Sequence, residues 1–302
     1  MPPESNAADL VLFVGHGTIS AEEDIPEFLR LIRRGRPASP DLIEEMRRRY
    51  RKVGRSPLLE TSRAQALLLE RSLSLPVLPA MRMWHPFIAD VLDEIAGRPP
   101  AARPRRICVL PAAPFSVHVY VEATRRALAA AQSWGQSPPE LLAVQPWGLQ
   151  PRFLEAHARL LREALEGAPE SRVVFTAHSL PSAVIAAGDP YARQVEACCA
   201  ALEADIGRPC LLAYQSQGAD GGDWLGPTLE GTLEDLSAQG TARVVVAPVG
   251  FISDHIETLY DLDVEAQAHA ARLGLELHRV AALNTEPLLI EAMAAAVREA
   301  LG

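Results

Sequence analysis

Four apolar, β-branched runs punctuate the chain: DLVLFV (9–14), RRICVLP (105–111), SRVVFTA (171–177) and ARVVVAP (242–248). Short runs of this kind suit strands buried on both faces. Between them lie longer segments with apolar positions at helical period, among them 39–52, 60–72, 151–166 and 190–205. This alternation predicts an α/β fold, with mostly parallel sheet flanked by helices. The two halves echo each other, FVGHGT at 13–18 resembling FTAHSL at 175–180 and CVLPAAPFS at 108–116 resembling VVVAPVGFIS at 244–253. A chain of 302 residues is long for one core, so two similar Rossmann-like lobes are expected, 1–150 and 151–302, with the last helix packing back on the first lobe.

Open α/β sheets bind ligands outside the carboxyl ends of their strands, which predicts an active site in a cleft between the lobes. The loops that would face it carry His16 and Thr18, Phe115 to His118, His178, and Asp254 to Glu257. The most informative segment is DHIETLYDLDVE, read as one helix. On it Asp254, Glu257, Asp261 and Glu265 fall at i, i+3, i+7 and i+11, a single stripe of carboxylates able to relay a hydrated divalent cation. A solvated acidic face gives the same spacing. His178, at a strand-to-helix turn, offers a metal ligand or a base that works near neutral pH. His16 lies between two glycines, which let a loop bring the imidazole close to a ligand.

Composition narrows the choice. Net charge is −9, from 29 basic against 38 acidic residues, which argues against nucleic acid as a partner. Basic residues cluster at Arg30, Arg33, Arg34 and Arg36 and again at Arg47 to Arg49, Arg51 and Lys52, where guanidinium groups suit substrate carboxylates if those helices border the site. Lys52 is the sole lysine and there is no P-loop. No run approaches the length of a membrane span, and the opening MPPESNAADLVLFVGHG lacks a basic leader, so a cytoplasmic chain without an integral membrane segment is expected. Cys108, Cys198, Cys199 and Cys210 form no C-x-x-C pair and read as structural thiols. Trp84, Trp224 and Phe115 are either core anchors or the flat apolar walls that a macrocycle needs. AHSLP also resembles a nucleophile elbow at Ser179, although Ala177 and Pro181 replace its glycines.

Taken together these segments resemble the ferrochelatase family over nearly the whole chain. FTAHSLP resembles its F-S-A-H-[GS]-L-P, YQSQ…WLGP its Q-S…W-L-G-P, and PVGFISDHIETLYDLD its P-[IV]-G-F-[VI]-[SA]-D-H-x-E-x-L-Y-x-x-D. The layout EEDIPEFLRLIRRGRPASPDLIEEMRRRY further resembles the soluble Gram-positive branch, whose members metallate coproporphyrin III. The resemblance implies an enzyme that inserts Fe2+ into coproporphyrin III or protoporphyrin IX in haem synthesis, with porphyrin and ferrous iron as substrates and a monomeric chain. It implies His178 and Glu257 as the metal-insertion pair, Asp261 and Glu265 as the carboxylate path, and Arg33, Arg49, Tyr50, Ser56 and Tyr120 as porphyrin-binding positions. Arg82, Met83 and Trp224 join that set, as does His16, which stands where the Gram-positive branch has a tyrosine that coordinates iron axially. VGRSPL is one residue shorter than the family's G-G-x-S-P-L, and the loop at 111–115 is shortened too. Some relatives hold a [2Fe–2S] cluster on four cysteines; this chain lacks the C-terminal cysteine group of the animal type, and no cluster or other cofactor is expected. The alternatives are a cobalt or nickel chelatase of a related tetrapyrrole, a non-catalytic haem or metal carrier, and a serine hydrolase acting through Ser179.

Overall fold

The structure is a computed structural model that describes residues 9–135, 137–218 and 222–302. The lead MPPESNAA, part of the leader reading, lies outside the described residues. Among those residues eight strands form two four-stranded sheets. In the first, β1 (Leu10–Gly15), β2 (Val77–Met81), β3 (Arg106–Pro111) and β4 (Glu140–Ala143) run in the order β2-β1-β3-β4. In the second, β5 (Arg172–His178), β6 (Cys210–Gln215), β7 (Arg243–Ala247) and β8 (Glu276–Arg279) run in the order β6-β5-β7-β8. Every pairing is parallel, and the second sheet repeats the first strand for strand. These are two Rossmann-like α/β lobes, as the strand and helix alternation predicts.

The chain divides into two compact units, one of Met1–Tyr50, Leu58–Trp147 and Ile290–Gly302, the other of Arg51–Pro57 and Gly148–Leu289. The final helix, Pro287–Leu301, ends in the first unit because its last turns are tied there. Arg298 donates to the Ser72 carbonyl at 2.9 Å, and Arg106 donates to the Leu301 carbonyl at 3.3 Å. The four expected strands and the four expected helical segments all form; the helices are Pro40–Val53, Leu58–Leu73, Pro151–Glu166 and Tyr191–Ile206.

Each sheet is apolar on both faces because helices cover both. Leu10 to Val14 and Ile107 to Leu110 are at most 2% exposed, as are Val173 to Phe175 and Val244 to Ala247. On one face of the second sheet Val174, Ala213, Val244, Val246 and Leu277 pack against Leu229, Leu233 and Leu236 of helix Leu229–Ala238 and against Leu262, Ala266 and Ala270. Burial of so much aliphatic surface, worth about 25 cal/mol per Å2, fixes the strand ends that carry the polar loops.

One expected element differs. DHIETLYDLDVE is not one α-helix: helix Ile256–Tyr260 passes into a π-helical turn, Asp261–Ala266, and then into helix Gln267–Arg272. Helical structure starts only at Ile256, so Asp254 lies before it. The π turn widens the spiral, so side chains beyond Tyr260 leave the line that 3.6-residue spacing projects. Leu262, Ala266 and Ala270 still reach the core.

Candidate active site

The carboxyl edge of the second sheet gathers the chemistry. β5 ends at His178, paired in register with Gln215 at the end of β6. Ser179 turns the chain inward: it is fully buried, its N–H donates to the Gln215 carbonyl at 2.8 Å and its Oγ donates to the Leu225 carbonyl at 2.8 Å. A buried hydroxyl already committed to a carbonyl is no nucleophile, which removes the hydrolase reading. The HSLP loop is stitched to WLGP by Leu225 N–H to Leu180 O at 2.9 Å and by an antiparallel bridge between Pro181 and Trp224. The Trp224 ring lies over Gly218, where a Cβ would sit 2.6 Å from it, so here the indole is a loop anchor.

After β7, Gly250 presses against β5. Its N–H donates to the Thr176 carbonyl at 3.0 Å, and a Cβ there would come within 2.6 Å of Ala177 Cα. Glycine is required at this approach, which brings Phe251 to the His178 and His255 rings at centroid distances of 6.3 and 5.3 Å. Glu257, on the first turn of the next helix, places Oε2 3.7 Å from His178 Nε2 and 3.6 Å from His255 Nε2. His178 and Glu257 side chains are each about a third exposed, at 35% and 38%. His178 Nδ1 contacts the Ser179 carbonyl oxygen and so must carry a hydrogen. In the neutral ring the lone pair is therefore on Nε2, facing Glu257.

His255 lies within the Asp254 to Glu257 loop named from the sequence, which gives it no role of its own. It caps the helix, its backbone N–H donating to Thr258 Oγ1 at 2.9 Å and its Nδ1 facing the Ser253 carbonyl at 3.2 Å. Burial works against its charged form, yet Glu257, the Ser253 carbonyl and Asp261 together raise its pKa above the usual imidazole value. Its signal in the sequence was the H-x-E spacing, which points to one side only when the histidine sits at an N-cap and outside the helix.

The carboxylate stripe comes apart in the structure. Asp254 faces away into a polar clamp, with Arg279 Nη1 at 2.7 Å and Asn284 Nδ2 at 2.8 Å. Asp261, 9% exposed, accepts from Ser216 Oγ, and Glu265 is exposed. Among the described residues no group of three or more His, Cys, Asp or Glu side chains is arranged to hold a metal ion. His178 and Glu257 thus supply a two-donor pair without a closed cage. The four cysteines are free; burial pushes the thiols of Cys108 and Cys198 up to about 12 and that of Cys210 to about 11, which keeps them protonated.

The first unit places its candidates at the equivalent edge. His16 follows β1 and is exposed, its carbonyl accepting from Met83 N–H at 2.8 Å, while Gly15 O accepts from Arg82 N–H at 3.0 Å. Gly17 has φ +106°, and a Cβ there would lie 2.8 Å from Trp84 N, so glycine is required at that position by backbone packing. The Arg82 guanidinium stands 5.7 Å from the Tyr120 ring centroid. Tyr50 is buried with its OH 3.2 Å from Thr18 Oγ1, and Arg49 Nε donates to Glu45 at 3.0 Å. Arg33 is half-buried at the end of helix Ile25–Ile32, and His118 is exposed. Ser56, grouped with the second unit, is 2% exposed and its Oγ makes no hydrogen bond. Trp84 packs edge-on against Phe28 at 5.7 Å, and Phe115 is 3% exposed; both are anchors of the fold.

The fold is similar to that of the chelatase SirB from Bacillus subtilis, solved with Fe3+, at a TM-score of 0.64 and 14% identity, over 97% of this chain and 95% of that one. The profile of the ferrochelatase family matches residues 9–301, and the chain belongs to that family. It is 36% identical to the ferrochelatase of Acidobacterium capsulatum, over 94% of this chain and 92% of that one. It is 31% identical to the coproporphyrin III ferrochelatase of Geobacillus kaustophilus, over 95% and 94%. The chain is accordingly a metal chelatase of haem synthesis, a lyase that inserts Fe2+ into a porphyrin. No helix among the described residues is long and apolar enough to cross a membrane.

Proposed function

We propose that His178 and Glu257 carry out the insertion step. The observation that supports this is the placement of His178 Nε2 3.7 Å from Glu257 Oε2, with both side chains partly exposed. Metallation releases two pyrrole protons as Fe2+ binds four ring nitrogens. His178 Nε2 takes the first, and the Glu257 carboxylate takes the second or hands over the partly dehydrated ion. We assign Glu265, which is exposed, and Asp261 as outer steps for hydrated Fe2+. We assign binding of the macrocycle and its carboxylates to His16, Arg33, Arg49, Tyr50, Arg82, Met83 and Tyr120 in the first unit, and keep Ser56 and Trp224 of the second as further candidates for that role. The Arg82–Tyr120 pair supports this, since it keeps a guanidinium oriented over an aromatic face.

The relative in Geobacillus kaustophilus is named for coproporphyrin III, which makes that ring the first choice. The free thiols suit a reducing compartment, and we read the protein as a cytoplasmic monomer. Anaerobic incubation with Fe2+ and, separately, coproporphyrin III and protoporphyrin IX tests the reading through loss of porphyrin fluorescence. Turnover is expected, faster with the four-carboxylate ring. Binding of both rings without metallation would make the chain a carrier. Light scattering checks the monomer.

A further inference from the structure

The side chain with the most demanding set of partners near the site is one that no motif singles out. Arg279, the last residue of β8, is only 14% exposed and binds two acidic residues from different segments. Its Nη1 donates to Asp254 Oδ1 at 2.7 Å, while Nε and Nη2 donate to the two oxygens of Asp263 at 2.6 and 2.9 Å. Asp254 closes the loop before helix Ile256–Tyr260, and Asp263 belongs to the π turn after it. Glu257 lies between these two fixed points. Asn284 strengthens the first of them, accepting from Asp254 N–H at 2.9 Å and donating to Asp254 Oδ2 at 2.8 Å. On the opposite flank of the π turn Ser216 holds Asp261.

We propose that Arg279 is a positioning residue of the chelation site. Its planar fork ties the entry of the Glu257 helix to the π turn beyond, and so fixes the Glu257 carboxylate against His178. The geometry needs arginine: lysine is a point charge that cannot bind Asp263 through two parallel bonds and also reach Asp254. It also explains why Asp254 and Asp263, acidic residues next to a proposed cation route, are taken out of that route. Both are neutralised in place, and Glu257 is left as the carboxylate that faces the histidines. This inference rests on the reading of His178 and Glu257 as the reacting pair.

Arg279→Lys and Asp263→Asn, compared with the unaltered protein, test it by anaerobic steady-state metallation at a temperature where all remain folded by circular dichroism. Displacing a reacting group by a fraction of an ångström lowers kcat, so Arg279→Lys is expected to lose about tenfold in kcat with porphyrin KM little changed. Asp263→Asn, which keeps the Asp254 bond and one acceptor oxygen, is expected to lose less, about threefold. A stability defect alone would lower the melting temperature and leave kcat per folded molecule intact. Wild-type kcat in Arg279→Lys, or a change confined to KM, overturns the proposal. Should Arg279→Lys not fold, wild-type kcat in Asp263→Asn does the same, since Asp263 is partly exposed and tolerates the change. If the unaltered protein fails to metallate, the reading of the pair fails, and the two results are distinguishable.

Discussion

The two units use one topology and treat histidine in opposite ways. The first unit's His16, His85 and His118 are all exposed. The second unit encloses His157 fully and His178, His255 and His269 in part, and leaves only His278 in solvent. The contrast is sharpest at equivalent positions, His16 after β1 and His178 at the end of β5. His16 stands on a glycine turn set by Trp84 and is exposed. His178 is framed by Phe251 and Glu257, with its tautomer set by Ser179. A repeated strand edge has thus kept its topology in both units, and in the second it sets an imidazole between an aromatic ring and a carboxylate.

The largest effect should come from substituting the two histidines in parallel. His178→Ala is expected to lose at least about 100-fold in kcat while still quenching on porphyrin binding, as for loss of a general base. His16→Ala should keep most of its turnover, with any change in the absorption spectrum of the metallated product. Equal losses would erase the distinction between the two edges.

Next come the glycines that seat each loop. Gly250→Ala and Gly17→Ala each force a Cβ into backbone and are expected to cost about 1–3 kcal/mol in urea unfolding. Only Gly250→Ala should also lower kcat, because it displaces the loop that carries Glu257.

His157 gives the second unit a dependence on acid. Burial pushes its pKa down to about 3, so the folded protein holds it neutral. Its contribution is present above the ordinary imidazole pKa and is lost as pH falls from there toward 3, at about 1.4 kcal/mol per pH unit. His157→Phe, which keeps the contact with Phe153, should flatten that part of the stability curve in urea titrations at several pH values. The smallest effect is expected at Arg82, where Arg82→Met removes the contact over Tyr120 and should raise porphyrin KM about two- to fivefold with kcat unchanged.

Much of this was legible in the sequence because burial writes itself into composition. The strands of both sheets are covered on two sides, so DLVLFV and ARVVVAP read as strands without ambiguity. The weaker strands were harder to see: β4 and β8 have four residues each, and β8, ELHR, is polar at three of them. His178 and Glu257 were visible through motifs. Asp254 was misplaced because the 3.6-residue period was extended across a helix start and a π turn, neither of which leaves a mark in spacing. The roles of His255, inside the named loop, and of Arg279 escaped for a related reason. Their roles depend on contacts from Ser253 and from residues 16 and 25 positions away, which no local pattern encodes.

The shortness of β4 and β8 has a consequence for the protein's behaviour in a crowded cell. Each is an outer strand of its sheet, and each opens with a glutamate, Glu140 or Glu276. Open sheet edges template the addition of foreign strands, and parallel sheets form slowly enough to leave such edges bare during synthesis. Four residues offer an incoming strand few hydrogen bonds, and a charged first residue must be desolvated or matched. On both units this short edge is therefore a poor seed for aggregation, a benefit to a chain that has two parallel sheets to assemble.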